Sequence, residues 1–309
     1  MYPLKLKSVL KDIIWGGTAL SENFAKGTPG QKIAEAWVLT LREDGENIIE
    51  NGKFEGKKLS EVIGGSTEFP LLIKLIDARD KLSVQVHPDD NYAKKEGLPA
   101  GKTEMWYILD AAPGAKLVYG MKKDTFLSDD MIRQAANNGT LEDHMNFVNV
   151  KKGDVFFIPA GLVHAIGEGI LIAEVQQNSN TTYRMYDYNR KDKDGNTREL
   201  HLEKALEVIN KDLPNSECGA QITEQGSFFT TKLLCKCDYF CTELLELHGG
   251  KHTLTSEKMV FALCLSGNGY FIHNGEKYNF TKGDSYLFPK EIGGFCAESD
   301  GCELLIATE

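Results

Sequence analysis

The chain has 309 residues, of which 41% are hydrophobic, and a formal net charge of −10 at pH 7. This length can bury one large core or two modest cores, and the negative charge argues against nucleic acid or an anionic membrane as a partner. No apolar run approaches a membrane span, the charged first residues do not form a signal peptide, and the seven cysteines all lie at or after Cys218. An odd number of cysteines suits reduced thiols, so we expect a cytoplasmic protein.

Short strand-like runs recur along the first two thirds of the chain and predict a mainly β fold. They cover residues 70–76, 82–87, 104–109, 155–158 and 170–176. Helical periodicity is limited to a few inserts, the clearest running from an N-cap at Ser128 to Gly139 and from residue 202 to 209 before Pro214. Many short strands with glycine-rich turns indicate an antiparallel barrel.

The run from Leu82 to Pro88 is the first that indicates chemistry. Side chains alternate along a strand, so Ser83, Gln85 and His87 leave the backbone on one face and the valines between them on the other. Packing alone gives no reason to line one face with polar groups, so we expect this face to border a site.

A second run, from Gly153 to His164, predicts a turn, an apolar strand and a tight bend at Pro159 and Gly161 that presents His164. Glu104 begins the strand between the two runs. A mixed nitrogen and oxygen set suits a borderline divalent ion such as zinc, with positions left for water or substrate. The candidate ligands are Gln85, His87, Glu104 and His164.

The spacing of glycine, proline, glycine and histidine in the second run matches the second metal-binding motif of the cupin barrels, and the first cupin motif reads Gln85-Val86-His87 here. Together with four further segments, these motifs make the whole chain resemble the type I mannose-6-phosphate isomerases, also called phosphomannose isomerases. The resemblance is to the short bacterial form of this family. These segments are Ile14-Trp15-Gly16-Gly17, Ala34-Glu35-Ala36-Trp37, Thr182 to Tyr188 and Arg198 to Ala205.

The resemblance implies a reversible conversion of mannose 6-phosphate to fructose 6-phosphate through a cis-enediol. It implies one zinc ion per chain, held by the four candidate ligands. It places Arg184 in the same cavity, where a permanent cation stabilises an enediolate. Lys102 shares strand parity with Glu104, so we expect it to point inward and to orient a sugar hydroxyl or carry a proton. We expect Arg190 and Ser83 to contact the substrate phosphate, since Arg190 follows Arg184 at even spacing, and Trp15 to line the sugar site.

The C-terminal part repeats the second motif from Gly283 to Pro289, but Gly294 stands at the position of His164. We therefore predict two cupin domains, a catalytic one over residues 1–234 and a degenerate one over residues 235–309. The sequence leaves the oligomeric state open between a monomer and a weak dimer.

Three alternatives remain open from the sequence. The site could act on another sugar or sugar phosphate, the chain could be a sugar-binding cupin without activity, or iron could replace zinc in a dioxygenase. A calcium loop from Asp192 to Glu203 is disfavoured because Thr197 occupies the position that needs glycine.

Overall fold

The computed structural model describes residues 1–65, 69–123, 127–191, 194–211, 213 and 219–309. The predicted stop at Pro214, the start of the disfavoured calcium loop at Asp192 and the thiol of Cys218 lie outside these residues.

The first domain contains strands β1 Leu4–Lys7, β2 Val9–Lys11, β3 Glu35–Leu39, β4 Leu41–Arg42, β5 Gly45–Glu46, β6 Ile48–Ile49, β7 Leu71–Ala78, β8 Val84–Val86, β9 Glu104–Ala111, β10 Lys116–Met121, β11 Met145–Asn149, β12 Val155–Ile158, β13 His164–Ile166, β14 Ile170–Gln177 and β15 Tyr183–Tyr186. The C-terminal part contains β16 Gln221–Gln225, β17 Phe229–Lys236, β18 Cys241–Leu247, β19 Gly250–Thr255, β20 Val260–His273, β21 Glu276–Thr281, β22 Ser285–Phe288 and β23 Gly294–Thr308. The α-helices are α1 Ala19–Asn23, α2 Ser60–Ile63, α3 Asp90–Lys95, α4 Asp129–Asn138 and α5 Leu202–Val208, and short 3₁₀ helices cover Gly52–Phe54, Leu141–His144 and Lys290–Ile292.

Two antiparallel sheets build the first domain. One has the strand order β12-β9-β14-β7-β3-β2 and the other has the order β11-β10-β13-β8-β15. Their inner faces share a core in which Trp106, Ile76 and Ile172 of the larger sheet pack with Leu117 and Ile166 of the smaller one. The outer face of the smaller sheet is covered by α4 and α5.

The central strands of the larger sheet are buried on both faces, and this explains their nearly continuous apolar sequence. All eight residues of β7 and all eight of β14 are buried. Their inward residues join the first domain's core, while Ile73, Leu75 and Val175 join a second cluster with Phe261 and Leu305 of the C-terminal part. The two parts of the chain therefore pack through one face of this sheet.

The C-terminal part forms one sheet with the strand order β16-β17-β18-β23-β20-β22-β1-β6, to which β19 and β21 add at β23 and β20. The N-terminal strand β1 pairs with β22, so the beginning of the chain is hydrogen-bonded into the C-terminal sheet. The predicted boundary at residue 235 falls inside β17, which pairs with β18. The division into residues 1–234 and 235–309 stays a prediction.

The predicted mainly β fold of two cupin domains with a few short helices is confirmed. The strand at 155–158 has the predicted bounds, and the strand predicted at 82–87 is shorter, from Val84 to Val86. Ser128 caps α4 by accepting a hydrogen bond from the backbone N–H of Met131, and Gly139 ends it in the left-handed conformation. Over the described ranges, no helix is long and apolar enough to cross a membrane.

Leu4 provides a test of the packing between the two parts, because it is completely buried in the shared cluster although it lies near the N-terminus. We expect Leu4→Ala to lower the free energy of unfolding by about 2–5 kcal/mol, the cost of a large-to-small change in a core. Denaturant titration measures this. The matched control is Leu200→Ala, at a leucine that is 41% exposed, and equal effects of the two changes would contradict the packing described.

Candidate active site

Three distant sequence positions meet on the smaller sheet because of its strand register. Gln85 on β8 lies directly opposite His164 on β13, and Arg184 on β15 lies directly opposite Gln85. Residues directly opposite one another in an antiparallel sheet project to the same face. Arg184, Gln85 and His164 therefore form a row across three neighbouring strands on the face that looks toward the larger sheet.

A second row crosses the larger sheet. Trp106 on β9 lies opposite Glu174 on β14, Glu174 lies opposite Lys74 on β7, and Lys74 lies opposite Trp37 on β3. The indole Nε1 of Trp106 donates to Glu174 Oε2 at 2.9 Å, and Lys74 Nζ lies 3.2 Å from Glu174 Oε1. This buried row continues to Glu35, which accepts a hydrogen bond of 2.6 Å from Trp37 Nε1.

His87, Glu104 and His164 come together between the two rows. The three side chains are buried, and each offers a ligand atom within 4.8 Å of the other two. His87 Nε2 lies 3.2 Å and His164 Nε2 lies 3.9 Å from the Glu104 carboxylate. The amide of Gln85 lies 3.4 Å from His164 Nε2, and a half turn of the amide brings its oxygen to the same point. Sequence reasoning therefore located the four candidate ligands in one cluster.

Both imidazoles are oriented for metal binding. The Nδ1 atoms of His87 and His164 lie 2.9 Å from the carbonyl oxygens of Thr181 and Leu162, so each Nδ1 donates its proton and each Nε2 presents a lone pair to the cluster. Burial, with Lys102 beside it, lowers the pKa of His87 to about 3. Burial also lowers the pKa of His164. Both rings are therefore neutral near pH 7, as metal binding requires.

Glu104 is ionised in spite of its complete burial. Burial alone would raise the pKa of its carboxyl group, but the ammonium of Lys102 beside it holds this pKa well below its usual value. Lys102 Nζ lies 2.8 Å from Glu104 Oε1, and Trp106 Nε1 donates to Glu104 Oε2 at 3.1 Å. The donor set, two neutral imidazoles with an ionised carboxylate and an amide, fits a divalent ion.

Lys74 and Glu174 are candidate site residues that the sequence analysis missed. Burial would lower the pKa of Lys74, but Glu174 and Glu35 raise it above its ordinary value, so Lys74 stays protonated. Burial raises the pKa of Glu174, and the negative Glu104 raises it further. The only sequence signal was the presence of charged residues inside two apolar runs, Lys74 with Asp77 in Leu71–Ala78 and Glu174 in Ile170–Gln177.

A cavity of about 290 Å³ adjoins this cluster. Five of the predicted site residues line it, namely Trp15, Ser83, Gln85, Lys102 and Arg184. Lys74, Glu174 and Glu35 also reach the wall, as do Asn180, Thr182 and Arg198. A volume of this size suits a small polar ligand.

Arg184 keeps donors available at this wall. Its Nη1 donates to the carbonyl oxygen of Glu199 at 2.7 Å, while its buried Nε has no hydrogen-bond partner in the described part of the chain. Burial lowers the pKa of Arg184, and Arg198 lowers it further. An incoming anion would offset the repulsion between these cations.

Arg190 is not among the residues that line the cavity. Its guanidinium is held by Asp187, by the carbonyl oxygen of Lys81 and by Asp80. The structure therefore brings together every predicted site residue except Arg190, whose phosphate contact stays a prediction without support from its position.

Two family models match the chain, the catalytic domain of type I phosphomannose isomerase over residues 3–113 and the mannose-6-phosphate isomerase cupin domain over residues 230–307. The mannose-6-phosphate isomerase ManA of Bacillus subtilis is 40% identical over 307 residues and covers 96% of each chain. The chain belongs to the type I phosphomannose isomerase family. The mannose-6-phosphate isomerase of Streptococcus mutans is 34% identical with the same coverage. A crystal structure of the Bacillus subtilis mannose 6-phosphate isomerase superposes with a TM-score of 0.89 and 31% identity over 99% of both chains.

The indole of Trp106 gives a test of how the candidate metal ligands of this type I phosphomannose isomerase are supported. We expect Trp106→Phe to weaken the binding of a divalent ion, with zinc as the probe, by about 10- to 100-fold, because the candidate ligand Glu104 loses a hydrogen bond that orients it. Competition with a chelator of known affinity measures the change. The matched control is Trp37→Phe, whose indole donates to Glu35 instead of a ligand. Equal zinc affinity in both variants would show that the Trp106 hydrogen bond does not support the site.

Proposed function

We propose that this protein interconverts mannose 6-phosphate and fructose 6-phosphate with one zinc ion per chain. The observation that carries the proposal is the buried cluster of His87, Glu104 and His164 beside a cavity lined by Lys102 and Arg184, in a chain of the type I phosphomannose isomerase family. Gln85, His87, Glu104 and His164 would hold the ion.

The reaction moves a proton between C2 and C1 of the open-chain sugar through a cis-enediol. Its difficulty is the weak acidity of a hydrogen on carbon beside a carbonyl group, so negative charge that develops on O1 and O2 must be stabilised. When bound, the metal would supply Lewis acidity toward these oxygens. The protein's own groups then need to bind the sugar, exclude water and stabilise the enediolate.

Lys102 and Arg184 have positions suited to the last task. Lys102 lies at the cavity wall with its ammonium 2.8 Å from Glu104 and 3.2 Å from His87, so it is held beside the ligands and can donate to a sugar oxygen. Arg184 presents a guanidinium that keeps its charge throughout the reaction. A cavity wall with donors fixed before the substrate arrives stabilises developing charge without reorganisation.

Lys74 and Glu174 complete the proposed site. They lie on the cavity wall and are fixed by each other and by Trp106. A carboxylate and an ammonium held in register can orient the hydroxyl groups of the sugar. Ser83 and Trp15 line the same space, Ser83 as a hydroxyl donor and Trp15 as an apolar surface for the sugar ring.

The remaining expectations belong to this proposal. Cys237, Cys241, Cys264, Cys296 and Cys302 are free thiols, which suits action in the cytoplasm. A monomer or weak dimer, and a catalytic domain formed by residues 1–234, stay predictions. A substrate panel of sugars and sugar phosphates separates the proposed reaction from the same chemistry on another sugar.

A coupled assay of the purified protein on mannose 6-phosphate tests the function directly. We expect formation of fructose 6-phosphate that stops on chelation and returns when zinc is restored. Turnover that continues after complete removal of metal would refute the metal-dependent mechanism. A protein that binds metal but converts no mannose 6-phosphate would be a sugar-binding cupin or an isomerase of another sugar.

Substitution of Arg184 distinguishes stabilisation of the transition state from binding of the substrate. We expect Arg184→Ala to lower kcat by about 10²- to 10³-fold, the scale found when one donor directed at developing charge is removed. Arg133→Ala is the matched control, since this arginine pairs with Glu203 on the outer helix α4. Steady-state kinetics of both variants give the answer, and an unchanged kcat in Arg184→Ala would remove this residue from the proposed mechanism.

A further inference from the structure

We propose that Arg198, positioned by Asp187, binds the substrate phosphate, and that Arg190 is a structural brace for Asp187. The inference rests on the proposed function, because it names the residue that recognises the phosphate in the same cavity.

Arg198 is fixed along one edge of its guanidinium and free along the other. Its Nε donates to Asp187 Oδ2 at 2.7 Å and its Nη2 donates to Asp187 Oδ1 at 2.5 Å. Among the described residues, none accepts a hydrogen bond from its Nη1. Arg198 also lines the cavity with 26% of its side chain exposed. A planar guanidinium in this state can hold a carboxylate on one edge and a phosphate oxygen on another.

Arg190 has the opposite character. Its Nη1 donates to the carbonyl oxygen of Lys81 at 2.5 Å, its Nη2 donates to Asp187 Oδ1 at 2.5 Å, and its Nε donates to the carbonyl oxygen of Asp187 at 3.4 Å. All three nitrogens are therefore engaged, and Asp80 lies 3.5 Å from Nη1. Arg190 would have to give up existing partners to bind phosphate, and it lies off the cavity wall.

The contacts of Arg190 explain its value as a brace. It joins the carboxylate of Asp187, which is 5% exposed, to the backbone carbonyl of Lys81 in the segment between β7 and β8. That segment leads into Ser83. Asp187 therefore fixes Arg198 while Arg190 fixes Asp187, and the Ser83 hydroxyl is held at the same wall.

Charge at this wall favours an anion. Arg184 and Arg198 both line the cavity, and Arg198 is close enough to lower the pKa of Arg184 after the larger effect of burial. Asp187 is already bound to two guanidiniums, Arg190 and Arg198. One carboxylate thus serves two cations, with Arg184 as a third nearby, and a phosphate dianion would balance the excess positive charge. The neutral side chains of Asn180 and Thr182 lie on the same wall.

The experiment compares Arg198→Gln with Arg190→Gln as its matched control, each loaded with zinc and freed of excess metal. We expect Arg198→Gln to raise KM for mannose 6-phosphate by about 10- to 100-fold with kcat near that of the unchanged protein, the scale of one lost hydrogen bond to a charged group. Inorganic phosphate, titrated by calorimetry, should lose affinity by a similar factor. Arg190→Gln should change both quantities in the same direction but by a smaller factor, since Asp187 keeps its two hydrogen bonds from Arg198.

If Asp187 is a positioning residue, the effect of its substitution on KM should depend on the presence of Arg198. Asp187→Asn should raise KM rather than lower kcat, and it should add nothing further to KM in the Arg198→Gln background, since its effect acts through Arg198. Arg198→Lys keeps the positive charge but cannot donate hydrogen bonds to both carboxylate oxygens of Asp187. We therefore expect a KM between that of the unchanged protein and that of Arg198→Gln. This variant provides the same comparison should Arg198→Gln not fold.

The outcomes separate the inference from the proposed function. If the unchanged protein isomerises mannose 6-phosphate and Arg198→Gln leaves KM and phosphate affinity unaltered, the inference is wrong and the function stands. A larger KM effect in Arg190→Gln than in Arg198→Gln also overturns it. If the unchanged protein does not isomerise mannose 6-phosphate but binds phosphate in a way that needs Arg198, the phosphate site stands and the function is wrong.

Discussion

The site depends on a carboxylate that folding has removed from water. Glu104 is buried completely, and its charge is tolerated because the ammonium of Lys102 and the indole N–H of Trp106 compensate it. An ion buried in this way costs several kcal/mol unless partners with good geometry replace its hydration. The neighbouring groups therefore have one requirement in common. They must compensate the negative charge of this carboxylate and still leave its oxygens able to bind a metal.

The two cross-strand rows meet that requirement from opposite sides. On the larger sheet, Trp106, Glu174 and Lys74 lie opposite one another on neighbouring strands, so each charge has a partner on the next strand. On the smaller sheet, His164, Gln85 and Arg184 present ligands and a cation in one line. The larger-sheet row and the ligand cluster together contain three carboxylates, the buried Glu104 and Glu174 and the partly buried Glu35, and two buried ammoniums, Lys74 and Lys102. A divalent ion would turn this excess of negative charge into a positive one, which suits a reaction that passes through an anionic enediolate.

Local rules predicted what depends on local geometry. Strand alternation placed Ser83 and Gln85 on one face, and capping rules gave both ends of α4, because each of these features is decided within a few residues. The sequence analysis did not identify Lys74 and Glu174 because their pairing depends on the register between β7 and β14. This register cannot be read from any short segment of the sequence. Arg190 was chosen by counting strand parity from Arg184, but β15 ends at Tyr186, and Tyr188 and Asn189 adopt positive φ angles of 59° and 53°. Parity has no meaning beyond that bend, and a chain that turns there brings Arg198 to the wall instead.

The C-terminal domain shows why a cupin can lose its ligands and still contribute to the site. It keeps the turn of the second motif, since Asp284 accepts a hydrogen bond from the N–H of Thr281 as Asp154 does from the N–H of Lys151. In place of a metal site, aromatic rings fill its interior, with Phe288 and Phe295 stacked at 3.5 Å between centroids. Its other apolar face covers the outer side of β7, β9 and β14. Those strands carry Lys74, Glu104 and Glu174 on their inner side, so the cover keeps water away from the sheet that holds the charges. Electrostatic interactions strengthen as water is excluded, so the covering domain strengthens the contacts among the charges on the inner side of the sheet.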